Sequence, residues 1–177
     1  ERPHMTELPP RRLLLLFSGA SRGTSSDPAA ASAVLADDLG PSVSAPLIFK
    51  DARLIGDAQS TTPAEYAGLL LGLRRAARLG PIDRLTIQSD SHTVIAHLSG
   101  TLAPSLPADR RFLALARSAA LALHPAQILI AQIPRSENAL ASSLALSLAL
   151  SPLPPPPSHT LPFSPAFLTP AHFRHHP

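Results

Sequence analysis

The chain has 177 residues, enough for one domain of ordinary size, and a formal charge of +3 that is too small to prove a nucleic-acid partner. It has no cysteine, which excludes disulfides and thiolate metal sites, and no apolar run of transmembrane length. Arginine supplies nearly all the cations, Lys50 being the sole lysine, and the eight histidines show no paired ligand spacing.

A proline-containing lead, 1–11, precedes a periodic region from Arg12 to about Leu150. Arg12–Ser18 and Ala30–Ala36 read as strands, the alanines of the second being weak strand formers, and Ala45–Asp57 reads as a third. Thr62–Leu79 is the clearest helix: Tyr66, Leu69, Leu70, Leu73 and Ala77 fall on one face, and Gly80-Pro81 ends it. A strand over Leu85–Gln88 leads into a helix over Ser91–Leu98, with Val94, Ile95 and Leu98 inward. Pro107–His124 is predicted helical with Phe112, Leu115, Ala119 and Leu123 on one side; Gln127–Ile133 is a strand and Glu137–Leu150 a final helix. That helix is apolar nearly all round, which predicts burial on every side.

The order β-β-β-α-β-α-α-β-α predicts an α/β (α+β) fold, a mixed five-stranded sheet with helices packed on it. Residues 151–177 contain nine prolines and form a third part, an extended tail with Phe163, Phe167 and Phe173 as anchors for docking. His172, His175 and His176 lie in this tail without a scaffold that would define a metal site.

Four segments carry a family resemblance: Phe17-Ser-Gly-Ala-Ser-Arg-Gly23, Thr62-Pro-Ala-Glu-Tyr66, Gln88-Ser-Asp-Ser-His92, and Ile133-Pro-Arg-Ser-Glu-Asn138 running on to Ala145. In order and spacing they resemble the ribonuclease H family, type 1, especially its reverse-transcriptase-like relatives, over roughly Arg12 to Leu150. The resemblance implies the ribonuclease H-like fold and a family chemistry in which two Mg²⁺ ions, clamped by four carboxylates, hydrolyse the RNA strand of an RNA–DNA hybrid. Carried over by position, the carboxylates fall on Ser18, Glu65, Asp90 and Ser142, so two of the four are alcohols. Mg²⁺ wants anionic oxygen, and the remaining pair, Glu65 and Asp90, implies at most one weakly held ion. Hydrolysis is not expected, no cofactor is expected, and the chain reads as a pseudoenzyme. Ser18 as a nucleophile would need an adjacent base, and no family position supplies one.

The substrate surface departs from the family as well. A glycine-rich Asn-Pro-Gly segment is replaced by Thr24-Ser-Ser-Asp-Pro28 and Ala29–Ala31, and the asparagine before the family glutamate is replaced within Thr61-Thr62-Pro63. Locally, Thr62-Pro-Ala-Glu65 reads as a capping box in which Glu65 reaches back to the Thr62 backbone. Asp90 and Ser91 read as N-terminal acceptors of the next helix. Arg135 and Asn138 match the family's Arg-x-x-Asn and are expected to fix that loop and cap the last helix.

Arg74, Arg75 and Arg78 form one cationic cluster and Arg110, Arg111 and Arg117 another, each a candidate contact for RNA phosphate or an acidic protein surface. The resulting expectation is a non-catalytic ribonuclease H-like subunit of a large assembly, a ribonucleoprotein such as a mitochondrial ribosome. Its partners would be neighbouring proteins and RNA, with no membrane and no small-molecule substrate, in the mitochondrial matrix or otherwise the cytoplasm. The alternatives are a hybrid ribonuclease with residual activity through Glu65 and Asp90 and Mg²⁺, and a stand-alone RNA- or hybrid-binding module.

Overall fold

A computed structural model describes residues 10–22, 28–40, 46–57 and 60–151. The tail with Phe163, Phe167 and Phe173, together with His172, His175 and His176, and most of the lead lie outside the described residues, as do residues 23–27 of the segment following the first turn.

Nine elements follow in the expected order. They are β1 (Arg11–Ala20), β2 (Pro28–Asp37), β3 (Leu47–Asp57), α1 (Thr61–Ala76), β4 (Ile82–Ser89), α2 (His92–Ser99), α3 (Pro107–Leu121), β5 (Gln127–Gln132) and α4 (Ala139–Leu150). The strands form one mixed sheet in the order β3-β2-β1-β4-β5. β1 is its centre, antiparallel to β2 and parallel to β4. Short turns can join the antiparallel strands, whereas each parallel pairing needs a helical crossover.

Side-chain alternation along β1 sets the two layers. Leu13, Leu15 and Phe17 are fully buried in a core with Tyr66, Leu69 and Leu73 of α1 and Val94 and Leu98 of α2. Ser18 faces the other way: its hydroxyl meets Ser142 of α4, and its cross-strand neighbour Ser32 donates to the Ala141 carbonyl. β2 is buried on both faces along nearly its whole length. Its alanines, poor strand formers in isolation, are favoured here because two helices lie close above and below them.

Glycine permits the closest approach. A Cβ on Gly68 would sit 2.5 Å from the Ser32 carbonyl oxygen and 2.8 Å from that of Ser18, and one on Gly19 would meet the Glu65 backbone nitrogen at 2.5 Å. These bare positions let α1 lie directly on the end of β1.

The structure corrects several sequence readings. α1 ends at Ala76, and Ala77 is its exposed C-cap; Ala76 completes the buried stripe instead. The inner line of α3 is Leu113, Ala116 and Ala120, with Phe112, Leu115, Ala119 and Leu123 on its half-buried flank. α4 is not buried all round. Ala141, Ser142, Ala145 and Ala149 form its buried side, while Leu140, Leu146 and Leu150 are 43%, 42% and 57% exposed. Small side chains on that side bring α4 close to the sheet, which leaves the leucines on its outer flanks. No helix among the described residues is long and apolar enough to cross a membrane.

Candidate functional site

Parallel pairing of β1 with β4 brings Ser18 and Asp90 to the same end of the sheet. The glycine contacts bring the first turns of α1, and so Glu65, to that end too. α4 crosses beneath it with Ser142. The four positions implied by the resemblance therefore converge.

At the centre, Ser18 and Ser142 are both nearly inaccessible, and the Ser18 hydroxyl donates to Ser142 Oγ over 3.4 Å. That is longer than a strong hydroxyl hydrogen bond. It nevertheless means that the two hydroxyls face each other where the family's charges would stand. Among the described residues, the hydrogen-bond partner of the Ser18 hydroxyl is Ser142.

Glu65 does not close a capping box. Ser60, the N-cap of α1, makes no side-chain cap bond, and Glu65 Oε2 accepts from the Ser91 hydroxyl at 2.7 Å. The helix starts two residues earlier than the box requires, with Ser60 and not Thr62 as its N-cap, and Glu65 turns toward the end of β4. Burial pushes its carboxyl above the ordinary 4.5; the Ser91 hydroxyl pulls it down, and the Asp90 charge pushes it up again. That repulsion shows the two carboxylates share one site.

Ser91 is the N-cap of α2, as expected, accepting from the Val94 amide at 3.2 Å. Asp90 has a different role: its Oδ1 accepts from Asn138 Nδ2 at 2.5 Å. Asn138 is fully buried, occupies the N-cap position of α4 without capping it, and also donates to the Phe17 carbonyl at 2.9 Å. The loop before α4 is thus fixed, as expected of Asn138, but through β1 and β4. Its Oδ1 has no hydrogen-bond partner among the described residues.

Three contributors were not legible beforehand. Ser89 donates to the Phe17 carbonyl at 2.8 Å and receives the Ser91 amide at 3.1 Å. Ser32, the one polar residue within an alanine run, holds α4. Arg22 Nε donates to the Ala149 carbonyl at 2.7 Å, and Arg22 Nη2 to that of Ser151 at 3.3 Å. It complements the negative C-terminus of α4. Only Ser32 had a signal, a hydroxyl in an otherwise apolar strand.

The arginine clusters are spread apart. Arg74, Arg75 and Arg78 are exposed near the far end of α1, roughly 14 Å or more along its axis from Glu65 at 1.5 Å per residue. Arg110 and Arg111 are exposed on α3, with Arg110 bound to the Ser105 carbonyl at 2.9 Å. Arg117 is engaged internally, its Nη2 donating to the His97 carbonyl at the end of α2 over 3.1 Å. Among the described residues, no group of three or more His, Asp or Glu side chains could hold a metal ion.

Residues 17–147 match the family described as reverse transcriptase-like. Similar solved structures include the RNase H1 of the halophilic archaeon Halobacterium salinarum, 32% identical over 77% of this chain and 96% of that one, with a TM-score of 0.66. The N-terminal RNase H domain of a Mycobacterium tuberculosis protein is 26% identical over 78% of this chain and 94% of that one, with a TM-score of 0.68. LC11-RNase H1, solved in complex with an RNA/DNA hybrid, shares the fold at 22% identity, 79% and 100% coverage and a TM-score of 0.65. No curated protein matches the sequence.

Proposed function

Because this chain belongs to the reverse transcriptase-like family of ribonuclease H domains, we propose that it is a non-catalytic member that binds rather than cuts. The contact between the Ser18 and Ser142 hydroxyls carries the reading. Two divalent ions held side by side need anionic oxygen from several ligands. Of the four converging positions, two are neutral, and the other two are already engaged by Ser91 and Asn138. The donor set does not fit a two-metal centre, and no hydrolytic step is derived through one.

What such a domain would bind is suggested by its relatives. LC11-RNase H1 and the foamy viral protease-reverse transcriptase were each solved with an RNA/DNA hybrid. We propose an RNA-containing duplex as the partner class here. On composition alone, the reading extends to a subunit of a ribonucleoprotein such as a mitochondrial ribosome in the matrix.

A labelled RNA–DNA hybrid, incubated with the full chain and Mg²⁺ or Mn²⁺, tests the reading. The expected outcome is retention of the hybrid in a salt-dependent complex without cleavage. Cleavage that disappears in Glu65→Gln or Asp90→Asn would establish the single-metal nuclease instead. Copurification of the tagged chain with RNA and a defined set of proteins tests the assembly, and recovery as a free monomer counts against it.

A further inference from the structure

On the α1 face of the sheet, opposite the face on which Ser18 meets α4, an open cavity of about 260 Å³ is lined by β3, α1 and α3, and its walls include Arg53, Ile55, Leu70, Leu71, Arg74 and Phe112. Small-molecule pockets run from roughly 300 to 1,000 Å³, so this space is better matched to one large apolar side chain. Its floor is hydrocarbon and its two cations stand on opposite walls, one on the strand and one on the helix.

Charge narrows the occupant. Among the described residues, no carboxylate pairs with Arg74, Arg75 or Arg78. Arg75 lies over the Phe49 ring at 5.0 Å, which extends the cationic surface along β3. Arg53 is 67% exposed and holds Asp51 at 3.0 Å, a solvent-exposed pair that an incoming carboxylate can readily replace. Lys50, also on β3, is exposed as well. A nucleic acid backbone would match the charge but not the apolar floor, and a second copy of a +3 chain would bring like charge.

The backbone supplies the remaining constraint. β3 is an outer strand of eleven residues, with β2 as its only strand neighbour in the described sheet. An extended segment added to such an edge gains main-chain hydrogen bonds and projects alternate side chains toward one face. Along β3, that face carries Phe49, Asp51, Arg53 and Ile55, in register with the helix layer.

We propose that the outer edge of β3 receives an extended acidic peptide from a partner protein, with one apolar side chain in the cavity and flanking carboxylates on Arg53 and Arg74. The surface is on the α1 face of the sheet, whereas Ser18 meets α4 on the other, and the proposal stands whether or not the domain binds a hybrid.

A fluorescent peptide of alternating glutamate and leucine, titrated into the full chain, tests it by anisotropy. Saturable binding is expected, weakened about tenfold or more by Arg74→Glu and likewise by Arg53→Glu. Both residues are exposed, so each variant should fold, which matched thermal melts verify. Hydrogen exchange along β3 should slow in the complex. The proposal fails if the peptide does not bind, if both reversals leave binding unchanged, or if an alternating lysine and leucine peptide binds equally well. Displacement of the peptide by oligouridylate, or concentration-dependent self-association lost in Arg74→Glu, would assign the surface to RNA or to a second copy and overturn it.

Discussion

Glu65 is held between two influences: water is largely withdrawn from it, and a hydroxyl compensates in part. Its folded-state affinity for a proton is raised above the ordinary 4.5, so as pH rises past that value the unfolded chain ionises first. The unfolded state then binds fewer protons than the folded one, and stability must fall with rising pH across the window from 4.5 upward to the raised value. Glu65→Gln should remove this component, and melting temperatures of the two proteins between pH 4 and pH 7 check it. A wild-type slope that the variant retains would refute the assignment. Tyr66 illustrates the same principle in the core, its hydroxyl pushed up to about 12, chiefly by burial and then by the Asp109 charge. Tyr66 Oη and His97 Nδ1 lie 2.8 Å apart with both residues buried. Tyr66→Phe should cost about 1–3 kcal/mol in urea denaturation, because it strands the imidazole nitrogen. Neither partnership was readable in the chain. Thr62-Pro-Ala-Glu65 has the local pattern of a capping box, but the hydroxyl that captures Glu65 is 26 residues away. Local patterns report local competitors only.

At the level of elements, periodicity located all nine, and packing decided which faces are inside. The leucines of α4 had the greater hydrophobicity, yet Ala141, Ser142, Ala145 and Ala149 face the sheet, because close approach between helix and sheet requires small side chains on the shared surface. The glycines of α1 obey the same rule. Gly-to-Ala changes in a helix interior ordinarily stabilise by up to about 1 kcal/mol. At Gly68 the sign should reverse, since the added methyl meets two carbonyl oxygens of the sheet. A net loss of about 1–2 kcal/mol is expected, read as a lower urea midpoint at unchanged m-value. Stabilisation by Gly68→Ala would mean that α1 can lift from the strands at little cost.

Across the whole molecule, the convergence of Ser18, Glu65, Asp90 and Ser142 was legible only through the resemblance. The residues are scattered from β1 to α4, and they meet through the parallel pairing of β1 with β4 and the packing of α1 and α4 on the sheet. Ser18→Asp with Ser142→Asp would place two more carboxylates beside Glu65 and Asp90. Without metal that variant should lose roughly 1–3 kcal/mol through burial of unpaired charge, and Mg²⁺ should restore part of it. Stabilisation of the wild type by Mg²⁺ to the same extent would contradict the non-catalytic reading. The Phe17 carbonyl explains why the domain tolerates the serines. It takes hydrogen bonds from Ser89 and from Asn138, joining β1, β4 and the loop before α4 through neutral groups. Neither of these two bonds uses the side chain of Ser18 or Ser142, although Asn138 also holds the Asp90 carboxylate. On the proposed reading, selection for folding alone would keep this neutral frame, and with it the convergence of the four positions, in a domain that only binds.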